Sequence, residues 1–189
     1  MDRSRGWWAV YTRHHHEQRV TEMLEARGLE VFHPTYHSRR RWKDRIKVLP
    51  MPLFPCYVFV REEIGAKLPV VSTPGVHMIV TRGQEFALVA DEEIEAIRKA
   101  VHSSQTLEPC PYLNAGERVR VVRGPMTGVE GILLRQTGRH RLVLSVDLLG
   151  RSASVEVGAS DIDAVEVAPR RVGEHSHDRS GLAHRFLPQ

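Results

Sequence analysis

Residues 116–150, GERVRVVRGPMTGVEGILLRQTGRHRLVLSVDLLG, decide the reading of the C-terminal part of the chain. In RVRVV, basic and apolar residues alternate, so Val119 and Val121 share one side while Arg118 and Arg120 share the other. That period of two marks a half-buried strand. Gly124-Pro125 ends it, and Gly128 and Gly131 bracket the next turn and the start of a new strand. Two further apolar runs follow, Ile132 to Leu134 and Leu142 to Val146, separated by a turn at Gly138. The alternating Val155-Glu156-Val157 closes the series. Short strands at close spacing with no helix between them predict a small all-β barrel over 112–167.

Upstream, the rhythm changes. Trp7 to Thr12 is aromatic and β-branched, which predicts a strand. His14 to Arg27 has Val20, Met23, Leu24 and Arg27 at helical spacing, with Gly28 placed to end the helix. Leu29 to Phe32 and Pro55 to Val60 read as strands, and Gly65 to Val71 as a short helix interrupted near Pro69. Ser72 to Val76 is a turn feeding a strand at His77 to Thr81. Asp91 to Val101 is a helix, with Asp91 as its cap, acidic residues at its positive end, and Ile94, Ile97 and Val101 as its buried face. The chain thus divides into a mixed domain over 1–101, a spacer over 102–111 rich in serine and proline, the barrel, and a polar tail over 168–189 expected to be disordered.

Bulk properties narrow the class. The chain has 189 residues and a formal charge of +4, a mild pointer to an anionic partner. Its N-terminal residues lack the apolar core of a signal peptide, and no apolar run approaches the roughly 20 residues needed to cross a bilayer. The two cysteines, Cys56 and Cys110, predict no disulfide framework, and a cytoplasmic protein is expected.

Gly116-Glu117-Arg118-Val119, Gly124-Pro125, Gly128 and Gly131 together resemble the KOW motif of ribosomal proteins and of NusG-family transcription elongation factors. Trp7 to Thr12 followed by a helix, then Pro52 to Val60, then Ser72 to Val76, resembles the NGN domain of the same family. The order of motifs is that of bacterial NusG, and the resemblance spans about 7–167. Leu53-Phe54-Pro55-x-Tyr57-x-Phe59-Val60, Tyr11-Thr12-Arg13-x-x-His16-Glu17 and Leu144 to Leu149 look closest to the specialised RfaH and UpxY antiterminator paralogs. Cys56 departs from them, because housekeeping NusG usually has glycine there and RfaH asparagine.

The resemblance implies an α+β fold. An N-terminal NGN α/β sandwich has an antiparallel sheet flanked by helices, and a small SH3-like KOW barrel follows. It implies an antitermination factor that binds the β′ clamp helices of RNA polymerase through a patch including Phe54, Pro55 and Tyr57. It places the first domain near upstream or non-template DNA. The barrel would recruit Rho or a small-subunit ribosomal protein, with Pro125 and Met126 where NusG often uses a phenylalanine for partner contact. In NusG proteins that read non-template DNA, the turn matching Ser72-Thr73 carries Asn-Thr, so Thr73 matches and Ser72 departs. A housekeeping role in Rho-dependent termination and a ribosome-associated RNA-binding role are the alternatives.

Arg39, Arg40, Arg41, Lys43, Arg45 and Lys47 put six cations within nine residues, around Trp42. Such a segment can neutralise phosphates and release counterions while the indole stacks on a base, although a solvated hairpin has the same composition. His14-His15-His16 invites a metal, but three adjacent helical residues point three ways. No phosphate-binding loop, nucleophile elbow or zinc-type cysteine spacing is present. No catalytic site, cofactor or metal is expected, and the protein is expected to act as a monomer whose barrel hangs free on a flexible tether.

Overall fold

The computed structural model describes residues 5–42, 45–63, 68–136 and 138–165. Its first part runs β1 (Arg5–Thr12), α1 (Glu17–Glu25), β2 (Glu30–Phe32), β3 (Thr35–Trp42), β4 (Arg45–Pro52), β5 (Tyr57–Glu63), α2 (Leu68–Val71), β6 (Val76–Ile79), β7 (Thr81–Arg82), β8 (Glu85–Phe86), β9 (Leu88–Val89) and α3 (Asp91–His102). Strand β1 is central. One of its edges pairs antiparallel with β5, and the other carries β6 against Val10 to Thr12 and β9 against Trp7 and Trp8. β2 adds beyond β5.

The two faces of this sheet bury different sets of residues, as the pleat requires. Trp8, Val10, Val58, Val60 and Ile79 pack with Val20 and Leu24 of α1 and Val70 of α2. Trp7, Ala9 and Phe59 pack on the other face with Leu53, Phe54, Val89 and the Ile94, Ile97 and Ala100 stripe of α3. Strands β3 and β4 leave this sandwich as a separate two-stranded hairpin in unbroken register from Thr35–Pro52 to Trp42–Arg45.

Several local expectations shift. The strand expected over His77 to Thr81 is β6, ending at Ile79, and β7, starting at Thr81. Of the helix expected over Gly65 to Val71, Leu68–Val71 forms α2 and 65–67 lie outside the described residues. Helix α1 starts at Glu17 rather than His14, because His15 has φ +62° and breaks the helical path. The strand expected from Pro55 starts at Tyr57, because Cys56 sits at φ +68° in a turn. Ala90, not Asp91, is the cap position of α3, and the Asp91 carboxylate instead approaches the Arg61 guanidinium at 3.5 Å.

The second part comprises β10 (Leu107–Cys110), β11 (Arg118–Val121), β12 (Glu130–Gln136), β13 (Arg139–Val146), β14 (Arg151–Val157) and β15 (Ile162–Ala164). They form one antiparallel sheet in the order β10-β14-β13-β12-β11-β15, all β as the valine-rich sequence requires. Val119, Leu133, Leu142, Leu144, Ala153 and Val155 line its core. Gly131 is needed for close approach: a Cβ there would lie 2.5 Å from the Val143 carbonyl oxygen. The region expected as a spacer is therefore largely structured. Leu107–Cys110 pairs with β14, leaving Ser103–Thr106 as the connection. Pro109 is accepted because β10 has a neighbour on one side only. The tail over 168–189 lies outside the described residues.

The barrel does not hang free. Its core and the α3 face of the first domain form one continuous apolar cluster, with Ala96 and Val101 of α3 and Leu148 and Leu149 of the barrel packed against it. Two polar contacts fix the register: Lys99 Nζ donates to the Thr127 carbonyl at 3.0 Å, and the Asp147 N–H donates to Glu93 Oε1 at 3.2 Å. Burial pushes the Glu93 carboxyl upward from its usual range; the hydrogen bond from the Asp147 N–H opposes this, and the Asp147 and Glu92 carboxylates add to it, leaving a net rise. A carboxyl raised in the folded molecule stabilises it fully below its ordinary value of 4.5, and the contribution fades as pH rises through the raised value. Glu93→Gln keeps the acceptor without the charge. It is expected to favour the docked barrel at neutral pH and to flatten that pH dependence, read by hydrogen exchange along α3. An unchanged profile would show that Glu93 does not set the docking.

Candidate functional site

The end of the central sheet carries an aromatic surface. Tyr11 lies directly opposite Tyr57 on β5 and Met78 on β6. The Tyr11 ring centre is 5.3 Å from that of Tyr57 and 5.7 Å from His77, the latter pair nearly parallel. These residues continue the face that buries Trp7 and Ala9, but Tyr11 is 37% exposed and Met78 48% exposed. Pro55 is exposed beside them, in the turn before β5. Large apolar side chains left open at the end of a covered face suit docking of a partner, since they bury area while freezing few rotamers. The barrel, docked on α3, leaves Tyr11 and Met78 open.

Of the expected patch, Tyr57 is half-buried at this surface and Pro55 is on it, but Phe54 is not. The Phe54 ring is 2% exposed and meets Phe59 edge-on at 6.0 Å. The turn at Cys56 breaks the strand alternation that would have placed Phe54 and Tyr57 by simple count. Phe54 therefore supports the surface from beneath.

The hairpin separates its residues by face. His37, Arg39 and Arg41 stand across from Pro50, Val48 and Ile46, and all six are exposed. Arg45 is exposed near the tip and Lys47 is half-exposed. Arg40 and Trp42 are placed in β3 by their backbone alone, and Lys43 lies outside the described residues. Among the described residues, Arg39, Arg41 and Arg45 have no acidic partner. The barrel differs: Arg120 is bonded to Glu130, Arg135 to Glu117 at 2.7 Å, Arg139 to Glu156 at 3.6 Å and Arg141 to Glu108 at 3.0 Å. The hairpin thus gathers Arg39, Arg41 and Arg45 as exposed cations on one element.

Two other expected contacts are occupied internally. Thr73 is 2% exposed; its Oγ1 donates to the Pro69 carbonyl at 2.9 Å and accepts from Arg27 Nη1 at 2.9 Å. That hydroxyl closes the end of α2 and does not face outward to read a base, whereas Ser72 is exposed. Met126, 3% exposed, caps the barrel core, while Pro125 stays exposed at the turn. Sequence reasoning missed Tyr11, His77 and Met78. The signal was available for Tyr11, which follows Trp7 and Ala9 at period two.

An α/β sandwich with a protruding hairpin, followed by a small β-barrel, is a two-domain architecture, and comparison with known proteins identifies it. The family described as Transcription termination factor nusG matches residues 5–98. The transcription termination/antitermination protein NusG of Helicobacter pylori strain J99 is 25% identical over 172 residues, covering 84% of this chain and 98% of its own length. The Lactococcus lactis protein of the same name is 28% identical over 177 residues, covering 85% and 94%. The solved structure of Thermotoga maritima NusG, described for its domain interaction, aligns with a TM-score of 0.50 at 22% identity, covering 86% of this chain and 98% of that one. This chain belongs to the NusG family of transcription termination/antitermination factors. Among the described residues no helix is long and apolar enough to cross a membrane.

Removing the Phe54 ring separates support from contact. Phe54→Ala is expected to cost about 3–5 kcal/mol of stability, as core phenylalanines do. Urea unfolding checks this, and a loss below about 1 kcal/mol would return Phe54 to the surface.

Proposed function

We propose that this chain is a transcription elongation and antitermination factor of the specialised kind. Its first domain docks on the β′ clamp helices of RNA polymerase, its hairpin lies against upstream or non-template DNA, and its barrel recruits a further factor such as Rho or a small-subunit ribosomal protein. The observation that carries this reading is the open apolar sheet end formed by Tyr11, Tyr57 and Met78, with Pro55 beside it. The family membership supports transcription as its setting, and the Leu53 to Val60 motif favours the specialised branch. The protein does no chemistry in this scheme. By binding the elongating polymerase more tightly than the paused one, it lowers the paused population.

Housekeeping termination is the second reading, favoured by the termination/antitermination names of the relatives. Binding of the barrel to Rho distinguishes the two, and Pro125 is the exposed residue of the expected contact.

Recovery of RNA polymerase with the full chain from a native lysate is the first test. Tyr57→Ala should then weaken polymerase binding by about 1–3 kcal/mol while the fold persists. A folded variant of unchanged affinity removes Tyr57 from the interface.

The hairpin makes an independent claim. Replacing Arg39, Arg41 and Arg45 by alanine should reduce the slope of log affinity against log salt by about 1 for each phosphate that is no longer neutralised. Equal slopes for the variant and the parent would leave the hairpin a solvated one.

A further inference from the structure

We infer that His14, Glu17 and Cys56 form a binding site for a divalent cation of the zinc type. His14 lies in the turn before α1, Glu17 is the first residue of α1, and Cys56 lies in the turn before β5. Thr12 N–H donates to the Cys56 carbonyl at 2.8 Å, and Cys56 N–H donates to Glu17 Oε1 at 2.8 Å. This brings an imidazole nitrogen, a carboxylate oxygen and a thiol sulfur within 4.8 Å of one another.

The sulfur–nitrogen distance suits coordination. Cys56 Sγ lies 3.5 Å from His14 Nδ1. Tetrahedral angles with zinc–sulfur and zinc–nitrogen bonds of about 2.3 and 2.05 Å give a sulfur–nitrogen edge of about 3.6 Å. Thiolate, imidazole and carboxylate together favour zinc or cobalt(II) over magnesium or calcium. Three protein donors leave a fourth position, and a cavity of about 300 Å³ adjoins His14 and Glu17.

The surroundings ask for a cation. Glu17 is 3% exposed, so its carboxylate is held inside the molecule. A bound dication would sit against the buried Glu17 carboxylate and take Cys56 as its thiolate, displacing the thiol proton to solvent. Cys56 also occupies a left-handed backbone position, φ +68°, where glycine would be free of strain. The spacing within the histidine run hid this site, because His14 alone contributes and its partners lie elsewhere in the fold. A cation here would clamp the start of α1 to the turn preceding β5. The cavity beside it is walled on its far side by Pro109, Cys110 and Arg151, so the clamp would lie at the seam with the barrel.

Cobalt(II) is the probe. Titrated into the full-length, metal-free, tag-free protein, it should bind at one ion per chain. Tetrahedral d–d bands and a thiolate-to-cobalt charge-transfer band should appear, and zinc should bleach both. Cys56→Ser and Cys56→Gly should each abolish the charge-transfer band, the glycine variant guarding against a folding defect. His14→Ala should weaken binding at least tenfold, and Cys110→Ser should leave it unchanged. Zinc should raise the Tm of the parent and not of Cys56→Gly. Absence of the bands, their survival in either Cys56 variant, or cobalt held equally well by His14→Ala would overturn the assignment.

Discussion

Everything in the first domain rests on β1 being satisfied on four sides at once. Its backbone is hydrogen-bonded along both edges, and Trp7, Trp8, Ala9 and Val10 are all buried, alternately toward the two faces. Two adjacent indoles facing opposite ways require a covering element on each side of the sheet, which is why α1 and α3 lie on opposite faces. The arrangement has a cost: Trp8 Nε1 is buried without a partner, while its ring stacks on Phe86 at 5.8 Å. Dispersion and burial over so large a ring outweigh one unmet hydrogen bond.

Helix α3 carries this order across the molecule. One stripe, Ile94, Ile97 and Ala100, seals the sheet, while Glu93 and Lys99 hold the barrel. The patterns of Trp7 to Val10 and of Val119 to Val157 were legible because each is a local alternation that one sheet face imposes. Docking was not legible. It depends on Lys99 meeting a carbonyl 28 positions away and Glu93 an amide 54 positions away. No periodicity records such pairs.

The candidate site divides along the same line. The charge of the hairpin could be read directly, because composition reports exposure when cations greatly outnumber acids. Phe54, Thr73 and Met126 point inward, each for a local reason that alternation does not record. A left-handed residue shifts the phase after Phe54, a helix end claims the hydroxyl of Thr73, and a turn folds Met126 over the barrel. The donors His14 and Cys56 lie 42 positions apart, so only the folded chain shows them together.

Pro109, whose presence suggested a spacer, lies in the outermost strand of the barrel sheet. An outermost strand offers a row of unpaired amides and carbonyls on which another chain can build. Proline has no amide hydrogen to offer there, so the row is interrupted midway through β10. The residue that looked like a break in the fold thus discourages one copy of the barrel from polymerising onto the next.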